Sequence, residues 1–367
     1  GLFVSHTINI LAIMRWTSLP QVGTLPVERS SHSITALGNR ILLFGGEHDP
    51  RVPVGSELYE YSFADGTWCV VDAKGEPPTP RVAHASAAVG NKLYIFGGRS
   101  GLAMGEGASN DLYVFDSDTC TWARLDGQGD IPPKRSYHTM TAVANKVYVF
   151  GGCGEEGRLS DLYEYDTTTN TWRQLALPLP QAVPGRGGSC LVAAPKPGGP
   201  EGEWVLYVIA GFCGRELDDM HVYSISDNVW CGSNCPSCSP PSSETTEGDG
   251  HSHCKLSARS VFGAAVHSCD QGDCTSKDTV VAFGGEVDPS AKGHDGAGDF
   301  CGSLMAFGSR GIRDWRAIEA GGDAPGPRGW FASTTTPDGR LVIHGGLDAN
   351  NERLRDMFVL DMHADST

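Results

Sequence analysis

Positive charge is scarce in this chain: 28 Lys and Arg stand against 44 Asp and Glu, a formal net charge of −16 over 367 residues. Affinity for nucleic acid comes mainly from basic side chains that displace counterions, so a nucleic-acid or anionic-membrane partner is not expected. Long apolar runs are missing too. The run INILAI near the start has six residues, too few to span a bilayer, and neither a basic leader nor a small-residue cleavage site accompanies it. A strand is the better reading there, residues 1–14 reading as an extension, and a cytoplasmic (or also nuclear) protein with mostly reduced cysteines follows. No phosphate-cradling glycine loop, nucleophile elbow or H-E-x-x-H helix is present, and no BTB or F-box segment. No long stretch shows helical periodicity.

What the chain has in quantity is glycine (48) and proline (22), which favours an all-β fold rich in turns. Internal repetition is the dominant signal. Apolar runs that end in a glycine pair recur as ILLFGG (41–46), LYIFGG (93–98), VYVFGG (147–152), VVAFGG (280–285) and LVIHGG (341–346), with a weaker copy LYVIAG at 206–211. Alternating segments such as DLYVFDS (111–117) and DLYEYDT (161–167) follow them, and then a tryptophan at 68, 122, 172, 230 or 315. Counted from Trp16, the tryptophan spacings are 52, 54, 50, 58 and 85.

A period near fifty with these elements resembles the kelch repeat, one four-stranded propeller blade per copy. The expectation is an all-β, six-bladed β-propeller in one domain over 15–362. Its blades would span about 25–72, 77–126, 131–176, 182–233, 256–319 and 324–362 plus 15–20. The last copy, DMFVLDM, has no tryptophan after it, while Trp16 has no blade before it. The N-terminal strand around Arg15–Leu19 should therefore close the sixth blade and remove an open sheet edge.

Positions filled alike in every copy read as scaffold, and positions that vary can carry function. Arg29, Arg81, Arg135, Arg186, Arg259 and Arg328 recur before the first strands, with His32, His84 and His138 three residues on in the first three copies. Six arginines facing the axis would draw in a small anion; the alternative, which is favoured, is that each ties its own blade together. After the glycine pairs the residues differ: Glu47, Arg99, Cys153, Phe212, Glu286 and Leu347. Such a mixed set at one end of the channel predicts a pocket for a small ligand, or a face for a protein partner.

From Ala258 onward the segments ARSVFGAAV (258–266), FGGEVDPSAKGHDGAG (283–298), PRGWFA (327–332) and HGGLDANNER (344–353) are similar to the plant specifier proteins, as is VPGRGG (183–188). The resemblance covers all six copies. It implies a propeller that holds Fe(II) and diverts glucosinolate aglucones, released by myrosinase, from isothiocyanates to nitriles or related products. The family's iron ligands follow Glu-x-x-x-Asp-x-x-x-His. Carried over, these are Glu286 and His294, with Ser290 where the aspartate belongs and Asp288 two residues before it. Arg99, Trp330 and Tyr137 fall at the family's substrate-contacting positions, Tyr137 standing where phenylalanine is expected. A neutral serine is a poor substitute for a carboxylate toward Fe(II), which favours carboxylate and imidazole. A binding module with no bound metal is the main expectation, and an Fe(II)-dependent specifier activity the alternative.

The long gap between Trp230 and Trp315 holds a polar Cys/Ser/Pro-rich insertion, 231–256, expected to be a mobile loop. Cys231, Cys235, Cys238 and Cys254, with His251 and His253, could bind zinc or pair as disulfides; free thiols are favoured, because the spacing matches no strong zinc signature. Cys269 and Cys274 could pair in an oxidising setting. Cys69, Cys120, Cys153, Cys190, Cys213 and Cys301 read as small buried hydrophobes.

Overall fold

The computed structural model describes residues 14–101, 106–178, 182–231, 256–268, 278–290, 296–308 and 315–362. Six antiparallel sheets stand around an axis. Blade one runs from the inside outward through Ser33–Leu37, Arg40–Phe44, Tyr59–Ser62 and Thr67–Val70, and the other five repeat that order. The innermost strands touch in a closed circle, Ala332–Thr335 of blade six meeting Ser33–Leu37 of blade one. Arg15–Ser18 pairs antiparallel with Arg353–Asp361 and so supplies the outer strand of blade six, as expected.

Continuous apolar runs form the second strands because both of their faces are covered. Ile41 and Leu43 pack with Val342 and Val359 of blade six, whereas Leu42 and Phe44 pack with Leu93 and Ile95 of blade two. Alternation along a strand thus sends successive side chains into two different inter-blade cores. Tryptophans complete those cores. Trp122, Trp172 and Trp230 each meet the phenylalanine that ends the second strand of the preceding blade, and Trp16 meets Phe283 at 5.0 Å in the same way. In blade six that place is held by His344, which meets Trp68 at 5.6 Å.

The glycine pairs are required where they sit. Gly45 and Gly46 have φ of 63° and 95°, and a Cβ on either would lie 2.6 Å from the neighbouring His32 Cβ or Arg81 carbonyl oxygen. In the weak fourth copy Ala210 takes the first of these positions with φ 49°.

The repeated arginines do not face the axis with free charge. All six are at most 3% exposed, and each donates from Nη1 to the carbonyl at the glycine pair of its own blade. In four blades a bidentate aspartate completes the pairing, as in Arg135 with Asp161 at 2.8 and 3.0 Å. Blade five uses Ser257 and Ser303 instead. Planar guanidinium donors locked in this way tie strands together within each blade rather than forming a ring of free charge.

The cysteine expectation needs correction. Of the six thiols read as buried, only Cys153 is; Cys69 is exposed on an outer strand and the other four are half-buried. Cys231 is disulfide-bonded, not a free thiol. The remaining cysteines and histidines of the insertion, and Cys269 and Cys274, lie outside the described residues. No helix among the described residues is long and apolar enough to cross a membrane.

Candidate functional site

Two residues after each repeated arginine, the chain enters the left-handed region in every blade: Ser31, Ala83, Tyr137, Gly188, Val261 and Trp330 have φ between 48° and 62°. Five of the six carry a side chain there, a conformation that costs about 1–3 kcal/mol per residue unless the surroundings enforce it. Here a ring of backbone hydrogen bonds does. Ser31 N–H donates to Trp330 O, Ala83 to Ser31, Tyr137 to Ala83, Gly188 to Tyr137, Val261 to Gly188 and Trp330 to Val261, all at 2.8–2.9 Å. Each blade therefore donates to the one before it, and the circle closes around the axis. Tyr137 and Trp330 are the two large side chains on this ring and come from opposite blades; their rings meet edge to face at 5.6 Å.

Above the ring lies a cavity of about 230 Å³ with Tyr137, Gly188, Val261 and Trp330 in its floor. Five of the six residues that follow the glycine pairs line it: Glu47, Cys153, Phe212, Glu286 and Leu347. Arg99, the sixth, sits behind Tyr137, donating from Nη2 to the phenol oxygen at 3.0 Å with its guanidinium 5.2 Å from the ring. Burial pushes the Tyr137 phenol far above its ordinary pKa, so it stays protonated. Ser290 and Pro289 line the same cavity. Asp288 pairs with Asp299 across the short hairpin that Glu286 opens. His294 lies outside the described residues.

Sequence reading missed the partner column. Each residue after a glycine pair has a cross-strand neighbour at the start of the third strand or in the loop before it: Pro53, Ala108, Arg158, Glu216, Phe300 and Arg353. These loops differ in length from blade to blade, so the column has no fixed spacing from the glycines. The register of the hairpins alone reveals it. Arg158 stacks its guanidinium 4.7 Å over the Phe212 ring and makes no hydrogen bond or ion pair to the described residues, leaving a cation on the cavity wall. Arg353 also lines the cavity, with Nη2 3.9 Å from Glu47 Oε1.

Glu47 accepts the Arg51 N–H at 2.6 Å, yet burial raises its pKa. Glu286 is pushed up to about 7 by burial and by Asp288, against the opposing Ser290 N–H. Glu216 rises to about 8, mostly from burial and then from the charges of Glu286 and Asp288. One oxygen of Glu216 accepts from Ser260 Oγ at 3.3 Å, while Oε2 is buried with no hydrogen-bond partner among the described residues. Beside Glu286, Gly298 leaves room that any side chain would fill, since a Cβ there would stand 2.2 Å from Oε1. Among the described residues no group of three or more His, Cys, Asp and Glu side chains is arranged to hold a metal. An orphaned buried oxygen and a carboxylate in a cradle nevertheless fit a cation, which would satisfy both.

Residues 31–262 match the family model of the KLHDC2/KLHL20/DRC7 Kelch-repeats domain, more than half of the chain. The chain belongs to the kelch-repeat family. This kelch propeller is 31% identical over 359 residues to an N-(sulfonatooxy)prop-2-enimidothioate sulfolyase of Thlaspi arvense, a match covering 94% of this chain and 95% of that one. Its similarity to acyl-CoA-binding domain-containing protein 5 of Arabidopsis thaliana is 35% over 138 residues, covering 37% of this chain and 20% of that protein. With host cell factor of Drosophila melanogaster the identity is 34% over 151 residues, 36% of this chain and 10% of that one. The last two relationships reach part of the propeller, whereas the relation to the sulfolyase runs through all six blades, as the specifier-protein resemblance implies.

Proposed function

We propose that this propeller is a specifier-type lyase, not only a binding module: it takes a small sulfonatooxy imidothioate into the cavity above the backbone ring and assists loss of sulfate. The observation that carries this reading is Arg158, a guanidinium on the wall of a largely apolar cavity that is paired with no carboxylate among the described residues. Sulfate leaves with the electron pair of the cleaved N–O bond, and a fixed cation at the departing oxygens lowers the barrier by meeting charge where it develops. For a nitrile product the C–S pair becomes the third C–N bond and sulfur departs as the neutral element, so no external oxidant is consumed. Trp330 and Phe212 offer apolar surface to the organic side chain. The protonated Tyr137 hydroxyl, held by Arg99, fixes the ring that walls the cavity.

Fe(II) would be held by Glu286 and His294, with Ser290 and Asp288 beside them, and would supply a Lewis-acidic, redox-capable centre that takes sulfur and nitrogen donors. The chain's own part is to orient the substrate, to bind the leaving sulfate and to keep the reacting atoms out of bulk water.

The test is product analysis. Purified protein is incubated with a glucosinolate, myrosinase and Fe(II), and the ratio of nitrile to isothiocyanate is measured. A rise in nitrile that scales with protein concentration is expected. An unchanged ratio with Fe(II) present would leave the protein as a binding module for a small ligand or a protein partner.

A further inference from the structure

The reading of the blade-five loop as a metal site leaves Ser290 where a carboxylate belongs. The structure offers a carboxylate from a different blade. Leu217 bridges Arg259, and Ser260 bridges Glu286, both antiparallel. The first bridge brings Glu216 opposite Ser260, so Glu216, Ser260 and Glu286 occupy one row across three adjacent strands. Phe212 extends the row beyond Glu216, and Phe300 extends it beyond Glu286. Residues opposite one another in a sheet project from the same face, and neighbouring strands lie about 4.8 Å apart, so the two glutamate Cα atoms stand roughly 10 Å apart. Between them is a serine, the smallest polar side chain, which leaves the space above it open.

Glu216 leans into that space. Its Oε1 takes the Ser260 hydroxyl in the middle of the row, while Oε2 is buried and without a partner among the described residues, in a residue only 7% exposed. Glu286 is equally buried. Two desolvated carboxylates flanking one serine, one of them with an orphaned oxygen, are an unfavourable arrangement by themselves, and a divalent cation between them would remove both penalties.

We infer that Glu216 of blade four is the second carboxylate of a divalent-cation site shared with Glu286, filling from across the Ser260 row the place that Ser290 leaves empty of charge. This rests on the proposal that the blade-five loop holds a metal. It makes the site a junction between blades four and five rather than a property of one loop.

The experiment is titration of the full chain with Mn(II) or Co(II) alone, read by calorimetry, by the Co(II) absorption spectrum and by the metal-dependent rise in Tm. Wild type is expected to bind one equivalent. Glu216→Gln should weaken binding at least about tenfold, the lower end of what losing even a supporting partner of a bound metal costs, and should lose the Tm rise. The isosteric amide removes a buried charge, so the metal-free fold should persist; Glu216→Asp, which keeps the charge but shortens the reach, is a second variant with the same expected loss. Asp218→Asn removes a charge from the same strand at an exposed position and should bind as wild type does. If Glu216→Gln and Glu216→Asp bind the metal with wild-type affinity, Glu216 is no ligand, although the loop site stands. If wild type binds neither ion, both proposals fall. If metal binding depends on Glu216 but the product ratio never moves, the lyase reading falls and the cation site stands.

Discussion

Tyr137 and Trp330, from blades three and six on opposite sides of the axis, meet edge to face at 5.6 Å across the floor of the cavity. The other four positions on their ring carry serine, alanine, glycine and valine, so this pair supplies the large side chains between the mouth and the channel beneath. Tyr137→Phe keeps the ring contact and loses the Arg99 bond. A loss of about 1 kcal/mol is expected in urea unfolding. Trp330→Ala should leave the fold in place but cut the nitrile-directing activity more than tenfold, because the apolar wall and the floor disappear together.

Arg158 should be nearly silent in stability and decisive in function. It has no ion pair among the described residues to lose, so Arg158→Ala should change Tm by no more than a degree or two. The same variant should reduce nitrile formation by roughly 100-fold, equivalent to about 2.7 kcal/mol of lost charge stabilisation at the leaving group. Arg158→Lys should recover part of it. Equal losses in Tm and activity would assign Arg158 to the scaffold.

The blade-internal pairs predict the opposite pattern. Asp161→Ala strands the fully buried Arg135 guanidinium, and a loss of about 3–5 kcal/mol is expected from breaking one side of such a pair. Calorimetric unfolding should show it as a large fall in Tm, with residual activity per folded molecule unchanged.

Acid should destabilise the propeller through its inter-blade histidines. His32 contacts His344 at 2.9 Å, His84 contacts the Ser33 hydroxyl at 2.8 Å, and His138 contacts the Phe96 carbonyl at 3.1 Å, each reaching into the preceding blade. Burial lowers all four pKa values, to about 3 for His84 and His344 and well below the usual 6.5 for His32 and His138. A histidine held neutral in the fold binds its proton more readily when unfolded. Stability is therefore present above pH 6.5 and is lost as pH falls toward 3, by up to about 1.4 kcal/mol per pH unit for each histidine. Urea midpoints measured from pH 7 to pH 5 should fall, and less steeply in His344→Phe, which installs the residue that blades one, two, three and five carry there.

Ser290→Asp should strengthen Fe(II) binding, measured anaerobically by calorimetry. It should also restore metal binding to Glu216→Gln, since either carboxylate then completes the set. An aspartate at 290 that adds no affinity in either background would remove this loop from the metal site.

Much of this was legible in the chain because repetition turns a single sequence into six comparisons. The glycine pairs, the buried second strands and the inter-blade tryptophans each recur, so their roles could be read by superposing copies. The closing strand was legible from Trp16, a tryptophan without a blade. The residues after the glycine pairs were found because a fixed neighbour marks them. Arg158, Glu216 and Arg353 were not, because hairpins of unequal length place them, and sequence distance carries no register across a turn. The buried arginines read ambiguously for a related reason: a guanidinium facing the axis and one folded back on its own blade have the same spacing.

The sequence by itself determined the all-β repeat, the six blades, the closing strand and five of the six residues expected to meet at one mouth, since local pattern and period carry that information. Only the tertiary structure decided that the arginines are spent within their blades, that six left-handed residues close a hydrogen-bonded ring, and that Glu216 stands in one row with Glu286. Those are relations between blades, set by hairpin register and by the circular packing of sheets, and no window of the linear chain contains them.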